Sequence, residues 1–427
     1  MAATDCKHRE ASEIGCACAH LVEAPDLNFV DYVRRFTGRG NEYDLVCSKC
    51  SPRSGATVLR SICIECFCHI EEESSWVGTF VNPEVLVRPS NLSFEHAEIE
   101  VAGVEGSTFL DMRPVNGSSN ADWLALTNDG VLLRLDLTAG TATRVLQLPE
   151  SPVRLDQPVS LHTDRHGRFA AIVNTKGEQG VVLHLSSGAV TMPLDRGEHH
   201  VNRVAFPVAF FDRDGRPLLI HATAWNRLDI SDPATGRVLT ERTFERPLPE
   251  ASLVREQDYF HGGLAISPNQ EWVADNGWVW GAAGIPLTWS LRRWIGDNAW
   301  EAEDGPSRRR LCQRWYYWDG PMCWVGDQTL ALWGYGEDVD RLVPAAWLFD
   351  AVSGEEAGII AGPTGQFVFD EYLFSLEGGG GTSVWDVATG ERLLRDRRLA
   401  PTRYHHGSQE FLTILGGGRF RLSRLRR

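Results

Sequence analysis

The sequence predicts a mainly β repeat domain, preceded by a small cysteine-rich module that folds around metal. Three observations carry this reading. A short motif recurs, in which an apolar strand ends at a polar residue and turns at a glycine. Its best copy is Ser383-Val384-Trp385-Asp386-Val387-Ala388-Thr389-Gly390, and weaker copies end at Gly140, Gly188, Gly236 and Gly354. Gly140, Gly188 and Gly236 stand 48 residues apart, and a fixed period of this size built from strands and turns marks a repeat architecture. Finally, eight of the ten cysteines fall between positions 6 and 68.

The chain has 427 residues, room for one large repeat domain and a small one. With 43% hydrophobic and 23% charged residues, its composition is that of a globular protein. No apolar run approaches the roughly 20 residues of a membrane helix. The first residues, Met1 to His8, lack a hydrophobic signal region, so a cytoplasmic location is expected. A net charge of −15 opposes non-specific attraction to nucleic acid or anionic membrane. Three lysines stand against 39 arginines, a bias expected of a GC-rich, bacterial genome rather than of arginine chemistry. In a reducing cytosol, clustered cysteines hold metal more readily than disulfides.

The module is expected over residues 1–75. Cys47-Ser48-Lys49-Cys50 and Cys63-Ile64-Glu65-Cys66 are separated by twelve residues. Two residues between cysteines let both thiolates of a knuckle face one ion, and two knuckles supply the four soft ligands of a structural zinc site. A CxxC pair also serves thiol exchange, the competing reading. This stretch resembles the zinc-ribbon class, which implies metal but no particular function. Upstream, Cys16-Ala17-Cys18-Ala19-His20 places three ligands at period two, all on one side of an extended segment. With Cys6 or His8 they would complete a second zinc site. The sites could be sequential or cross-braced, and in a cross-brace the first knuckle shares its metal with Cys47 and Cys50. Cross-bracing would resemble RING domains, but the ligand order CxH, CxCxH, CxxC, CxxC departs from theirs. Asp26 to Phe36 is expected to form a short amphipathic helix, with Leu27, Val30 and Val33 on one side. Structural zinc contributes roughly 10–16 kcal/mol to such small folds. The acidic stretch Ile70 to Ser75 is expected to be a linker. With 12 acidic and 8 basic residues, the module suits protein docking better than nucleic acid.

From 76 to 427 nearly every segment reads as a short alternating strand closed by a turn. Trp123 to Thr127, Asn128-Asp129-Gly130, then Val131 to Leu137 is a hairpin by pattern. Leu264-Ala265-Ile266-Ser267-Pro268-Asn269-Gln270-Glu271-Trp272-Val273-Ala274, with the Trp385-Asp386 pair and the Asp-x-x-Thr-Gly turns, resembles WD-repeat proteins. The resemblance covers some 320 residues, without the Gly-His dipeptide that opens typical repeats. It implies a β-propeller, seven-bladed by our count, with six to eight blades compatible with the pattern. Blades are expected at about 106–148, 158–194, 201–244, 258–298, 312–360 and 366–395. A last blade, 404–427, would be closed by an N-terminal strand, from either Val85-Leu86-Val87 or Ala97 to Val101, which removes the open edge.

Eleven of the fifteen tryptophans lie between 272 and 347. Trp289, Trp333 and Trp347 fit core positions. The run Trp315, Tyr316, Tyr317 and Trp318 cannot all face inward, so it is the candidate partner-binding surface. The insert from Arg292 to Gln313 reads as a solvated excursion. The adjacent pairs His199-His200 and His405-His406 face opposite sides of a strand and suit satisfied side chains better than one shared metal. Arg419 to Arg427 reads as an amphipathic closing strand. No GxSxG, HExxH, P-loop or dinucleotide fingerprint occurs, so no catalytic residues are assigned. The expected function is a non-enzymatic protein–protein interaction scaffold or regulatory subunit with one or two structural zinc ions. The alternatives are an enzyme with its site in the propeller funnel and a nucleic-acid-binding regulator acting through the zinc module.

Overall fold

The recurring turn explains itself in atomic terms. In the computed structural model, Asp136 accepts the amides of Thr138 and Ala139 at 2.9 Å each. Asp232, Asp350 and Asp386 each accept the amide two residues on, at 2.8, 3.0 and 3.0 Å. A short carboxylate that bonds the backbone ahead of it folds the chain back on itself. The closing glycines 140, 188, 236 and 390 sit at φ of +66°, +70°, +71° and +71°, where a side chain is strained. The 48-residue period is therefore one turn, repeated at the same place in successive sheets.

The structure describes residues 14–36, 43–47, 50, 58–81, 85–117, 121–242, 259–339 and 342–427. Seven sheets form a seven-bladed propeller. Blades 1 and 2 are four-stranded meanders over Phe109–Gln147 and Val159–Asp195. Blade 3 has three strands among the described residues, from Val208 to Ser231, and blade 4 has six, from Tyr259 to Trp315. Blades 5 and 6 are four-stranded, over Met322–Ala361 and Gln366–Asp396. Strands such as Asp122–Thr127 and Phe169–Asn174 are buried along their whole length, because both faces pack against neighbouring blades.

Blade 7 combines three C-terminal strands from Arg403 to Arg426 with one strand from near the module, Ser93–Glu100. Eight consecutive pairs join Ser93–Glu100 to Arg419–Arg426. Arg421 meets Glu98 at 2.7 Å and Arg426 meets Glu95 at 2.6 Å. Exposed pairs of this kind stabilise little. The closure rests on the ladder and on Phe420 and Leu422, buried with Met112 and Trp123 of blade 1. Of the two expected closing segments, the one around Ala97 closes blade 7, whereas Val85 to Val87 does not: Leu86 and Arg88 bond the backbone of Arg392 at the outer edge of blade 6.

The N-terminal module is a five-stranded sheet. Its strands are β1 (Ile14–Cys18), β2 (Asp31–Phe36), β3 (Tyr43–Cys47), β4 (Leu59–Cys63) and β5 (Ser75–Val81), in spatial order β4-β1-β3-β2-β5. A short helix α1 (Ala19–Val22) follows β1, and α2 (Ile64–Glu73) packs across one face. Phe67 of α2 lies on Gly15, where a Cβ would come within 2.3 Å of the ring. Tyr43 packs against the Trp347 and Tyr335 cluster of blade 5, which seats the module on that blade's flank. Arg34, ion-paired with Glu71 at 3.0 Å, lies over the Tyr43 ring.

Three expectations are corrected. Asp26 to Phe36 is not a helix: Asp26 caps a single 3-10 turn, Leu27–Phe29, and Asp31–Phe36 is β2. Its β-branched and aromatic residues, with Tyr32 and Val33 both buried, suit a strand covered on two faces. Ile70 to Ser75 is not a linker but the end of α2 and the start of β5. The insert after Arg292 is not a solvated excursion. Trp294 and Ala302 join the core of blades 3 and 4, and Trp294 meets Trp289 edge-on at 5.7 Å. Glu301 is fully buried, and its carboxylate accepts the Ser307 amide at 2.8 Å and an Asn298 side-chain N–H at 3.0 Å. Among the described residues, no helix is long and apolar enough to cross a membrane.

Trp385, the tryptophan of the best motif copy, is buried, and its Nε1 donates to Ser375 Oγ at 2.9 Å. Trp385→Ala should destabilise the propeller by about 3–5 kcal/mol in chemical denaturation, through cavity formation and a lost hydrogen bond.

Candidate metal centre and aromatic face

The parallel pairing of β1 with β3 places Ala17 opposite Leu45, so the two strands end side by side. Cys18 ends β1 in an extended conformation, and α1 then turns His20 back toward it. Cys47 ends β3, and the Cys50 amide bonds the Cys47 carbonyl at 2.9 Å, closing a tight knuckle. The four side chains converge, with all ligand atoms within 4.8 Å of one another. His20 Nδ1 lies 3.1 Å from Cys50 Sγ and 3.8 Å from Cys47 Sγ. The Cys47 amide donates to Cys18 Sγ at 3.3 Å.

These residues fit a structural zinc ion. Zinc–sulfur and zinc–nitrogen bonds of about 2.3 and 2.0 Å make a tetrahedron with edges of roughly 3.3–3.8 Å. Only a small contraction separates the observed cluster from that shape. Three thiols and one imidazole fill all four positions of such a site, leaving none for a substrate. Cys18 and Cys47 are buried, while His20 is exposed at the rim. Burial pushes the Cys18 thiol up, and burial together with the neighbouring cysteines pushes Cys50 up to about 12. Without a cation, then, these sulfurs keep their protons. The ion would supply the positive charge that lets them ionise together.

The expected grouping of Cys47 and Cys50 with Cys63 and Cys66 does not match this geometry. β4 runs antiparallel to β1, and Cys63 pairs with Ile14, at the opposite end of β1 from Cys18. Four residues of strand make that roughly 13 Å. Cys63 is instead the buried residue that ends β4 and precedes α2, and Cys66 is half-buried on that helix. Cys16 is half-buried in the middle of β1, opposite Ser61. Cys6 lies outside the described residues, as does His8. The structure thus brings Cys18 and His20 of the upstream stretch together with Cys47 and Cys50.

The aromatic run 315–318 divides. Trp315 is 42% exposed and Tyr316 66%, and the structure adds Trp280, 48% exposed, which the sequence reading did not assign to the binding surface. The two turns are joined: Ala283 pairs with Trp315, and the Tyr316 amide bonds the Ala282 carbonyl at 2.7 Å. Tyr317 and Trp318 turn inward. Tyr317 packs on Trp333 with ring centres 5.6 Å apart, and Trp318 stacks on Trp278 at 5.0 Å. Beneath Trp280 lie Phe260, Trp278 and His200, at 5.4, 5.4 and 4.7 Å. His199 joins the same group through Phe260 and Trp225. His200, Ala282, Tyr316 and Asp319 all hold a positive φ between 53° and 60°. Strain of this kind persists only where the surroundings over-determine it. Trp289 and Trp347 are buried as expected, and Trp333 is half-buried.

Purified protein should contain at least one zinc per chain by metal analysis. Cys18→Ser or Cys50→Ser should remove the ion at this centre and lower the melting temperature of the module. Zinc loading near pH 7.5 should release protons into a weakly buffered indicator solution. Affinity should fall as pH drops, because the raised thiol pKa values let protons compete with the ion. Loading without proton release would contradict thiolate ligation.

No protein-family profile matches the chain, and no curated protein sequence matches it. Among solved structures, the chain is similar to the crystal structure of RRP9 WD40 repeats, at 10% identity and a TM-score of 0.50. That match covers 80% of this chain and 100% of the other. At this identity the likeness concerns the fold alone. The chain has a WD40-repeat-like β-propeller structure, with an N-terminal cysteine–histidine cluster able to hold a metal ion.

Proposed function

We propose that the chain is a non-enzymatic interaction scaffold whose propeller binds a protein partner through the aromatic face of blade 4. In this reading the N-terminal module is a zinc-stabilised docking element set on blade 5. The observation that carries it is the trio Trp280, Trp315 and Tyr316. These are large apolar side chains, exposed on two bonded turns and backed by packed rings. Anchors of this type dominate protein interfaces, because they are rigid and bury much area at little entropic cost. The net charge of −15 and the aromatic content favour a protein over nucleic acid as the partner.

The proposed organisation is two-part, with a module of about 75–80 residues and a propeller from about 90 onward. Tyr43 ties the module to blade 5, so the two parts would present one continuous surface.

The test is affinity capture from the native host, with the intact chain and a variant carrying Trp280→Ala, Trp315→Ala and Tyr316→Ala. The partner held by the wild type should bind the variant at least about 30-fold more weakly, at unchanged circular dichroism. Equal capture by both would contradict the assignment of this face.

A further inference from the structure

The inner strands of the seven blades surround an axial channel, and one part of it does not balance its charge. Arg113, on the inner strand of blade 1, donates through Nε to Asp111 Oδ2 at 3.2 Å. Arg403, on the inner strand of blade 7, reaches across the ring seam to Asp111 Oδ1 at 2.7 Å. Asp111 is buried and already accepts the amides of Leu161 and Met112, at 2.9 and 2.8 Å. Among the described residues, no other carboxylate is bonded to either guanidinium. Two partly exposed guanidiniums, with 32% and 39% of their side chains open to solvent, therefore share one buried anion. The Nε of Arg403 is buried without a hydrogen-bond partner. A buried donor is normally matched by an acceptor.

A cavity of about 380 Å³ adjoins this group. Its polar wall includes Arg113, Ser160, His162 and Gln366, and its apolar wall includes Phe206 and Met322. Burial and both guanidiniums push His162 down to about 3, so its ring is neutral and can donate one N–H. Asp319 also lines the cavity. It accepts the Ala205 amide at 3.1 Å, and burial holds it above the usual carboxylate range. The space is of the size of a small-molecule site, with few polar groups set against an apolar wall.

We propose that this cavity binds a small organic carboxylate, with its carboxyl group on Arg113 and its apolar body against Phe206 and Met322. His162 and Gln366 add hydrogen bonds to the same carboxyl group. The ligand supplies the negative charge that the Asp111 group lacks. Its wall is built from several blades and includes none of the exposed aromatic trio, so binding would not cover that trio.

The test is calorimetric titration of the full-length, zinc-loaded protein near pH 7 with acetate, hexanoate, benzoate and succinate. Benzyl alcohol and inorganic phosphate serve as controls. At least one carboxylate should bind saturably at one per chain, and benzyl alcohol should not bind. Arg113→Met should weaken binding about tenfold or more. Since Arg113 also holds Asp111, Gln366→Leu gives a second arm that leaves the ion group intact, with about a threefold loss expected. Three results would each overturn the proposal: no saturable carboxylate binding up to about 10 mM, equal binding of benzyl alcohol, or affinity unchanged by both substitutions. Phosphate binding tighter than every carboxylate would overturn the carboxylate assignment.

Discussion

The structure depends on closing a ring. A propeller blade is a sheet with two apolar faces, and each face is covered only by the next blade. The first and last blades therefore have no stable arrangement until they meet. Here the meeting is made by the eight pairs between Ser93–Glu100 and Arg419–Arg426. Phe420 and Leu422 then pack against Trp123 and Met112 across the seam. The Arg403–Asp111 bond spans the same seam on the channel side. Two stretches of chain, 331 residues apart at Arg426 and Glu95 and 292 apart at Arg403 and Asp111, are thus joined along the ladder and at the axis.

Ring closure also sets where chemistry can occur. Within a blade the central strands are committed to packing, as the wholly buried Asp122–Thr127 and Phe169–Asn174 show, which leaves the outer edges, loops, the channel and any attached element. The aromatic face of blade 4 is built where the sheet gains two additional strands and the chain adopts strained turns at Ala282 and Tyr316. The metal centre is built on the attached module. Its small sheet holds Cys18 and Cys47 side by side, and two short turns bring in His20 and Cys50. The channel carries the buried ion group. These three features share a scaffold but use separate residues.

Much of the propeller was legible in the sequence, for a physical reason. Asp-x-x-Thr-Gly turns are local, and the carboxylate-to-amide bond at Asp386 needs nothing beyond the next few residues. The blade limits followed from such turns, and the need for a closing strand followed from the missing outer partner of blade 7, although two segments remained candidates for it. The metal centre was only half legible. Each knuckle could be read from its spacing, but the pairing depends on β1 lying between β4 and β3, a long-range arrangement that spacing does not encode. The same holds for Asp31–Phe36, whose helical periodicity was outweighed by burial on two faces. It holds as well for the insert, where Trp294 and Glu301 are drawn into the core despite an acidic and basic neighbourhood. Trp280 stands in a dense aromatic stretch but was not assigned to the binding surface, because one tryptophan among eleven in the region carries no mark of exposure.

The centre formed by Cys18, His20, Cys47 and Cys50 is the claim on which the chemistry of the module turns. It is tested most directly by X-ray absorption at the zinc edge, on protein carrying Cys63→Ser and Cys66→Ser. We expect one bound zinc with three sulfur ligands near 2.3 Å and one nitrogen near 2.0 Å. Loss of zinc from that variant would contradict the account and restore the sequential grouping of Cys47 and Cys50 with Cys63 and Cys66.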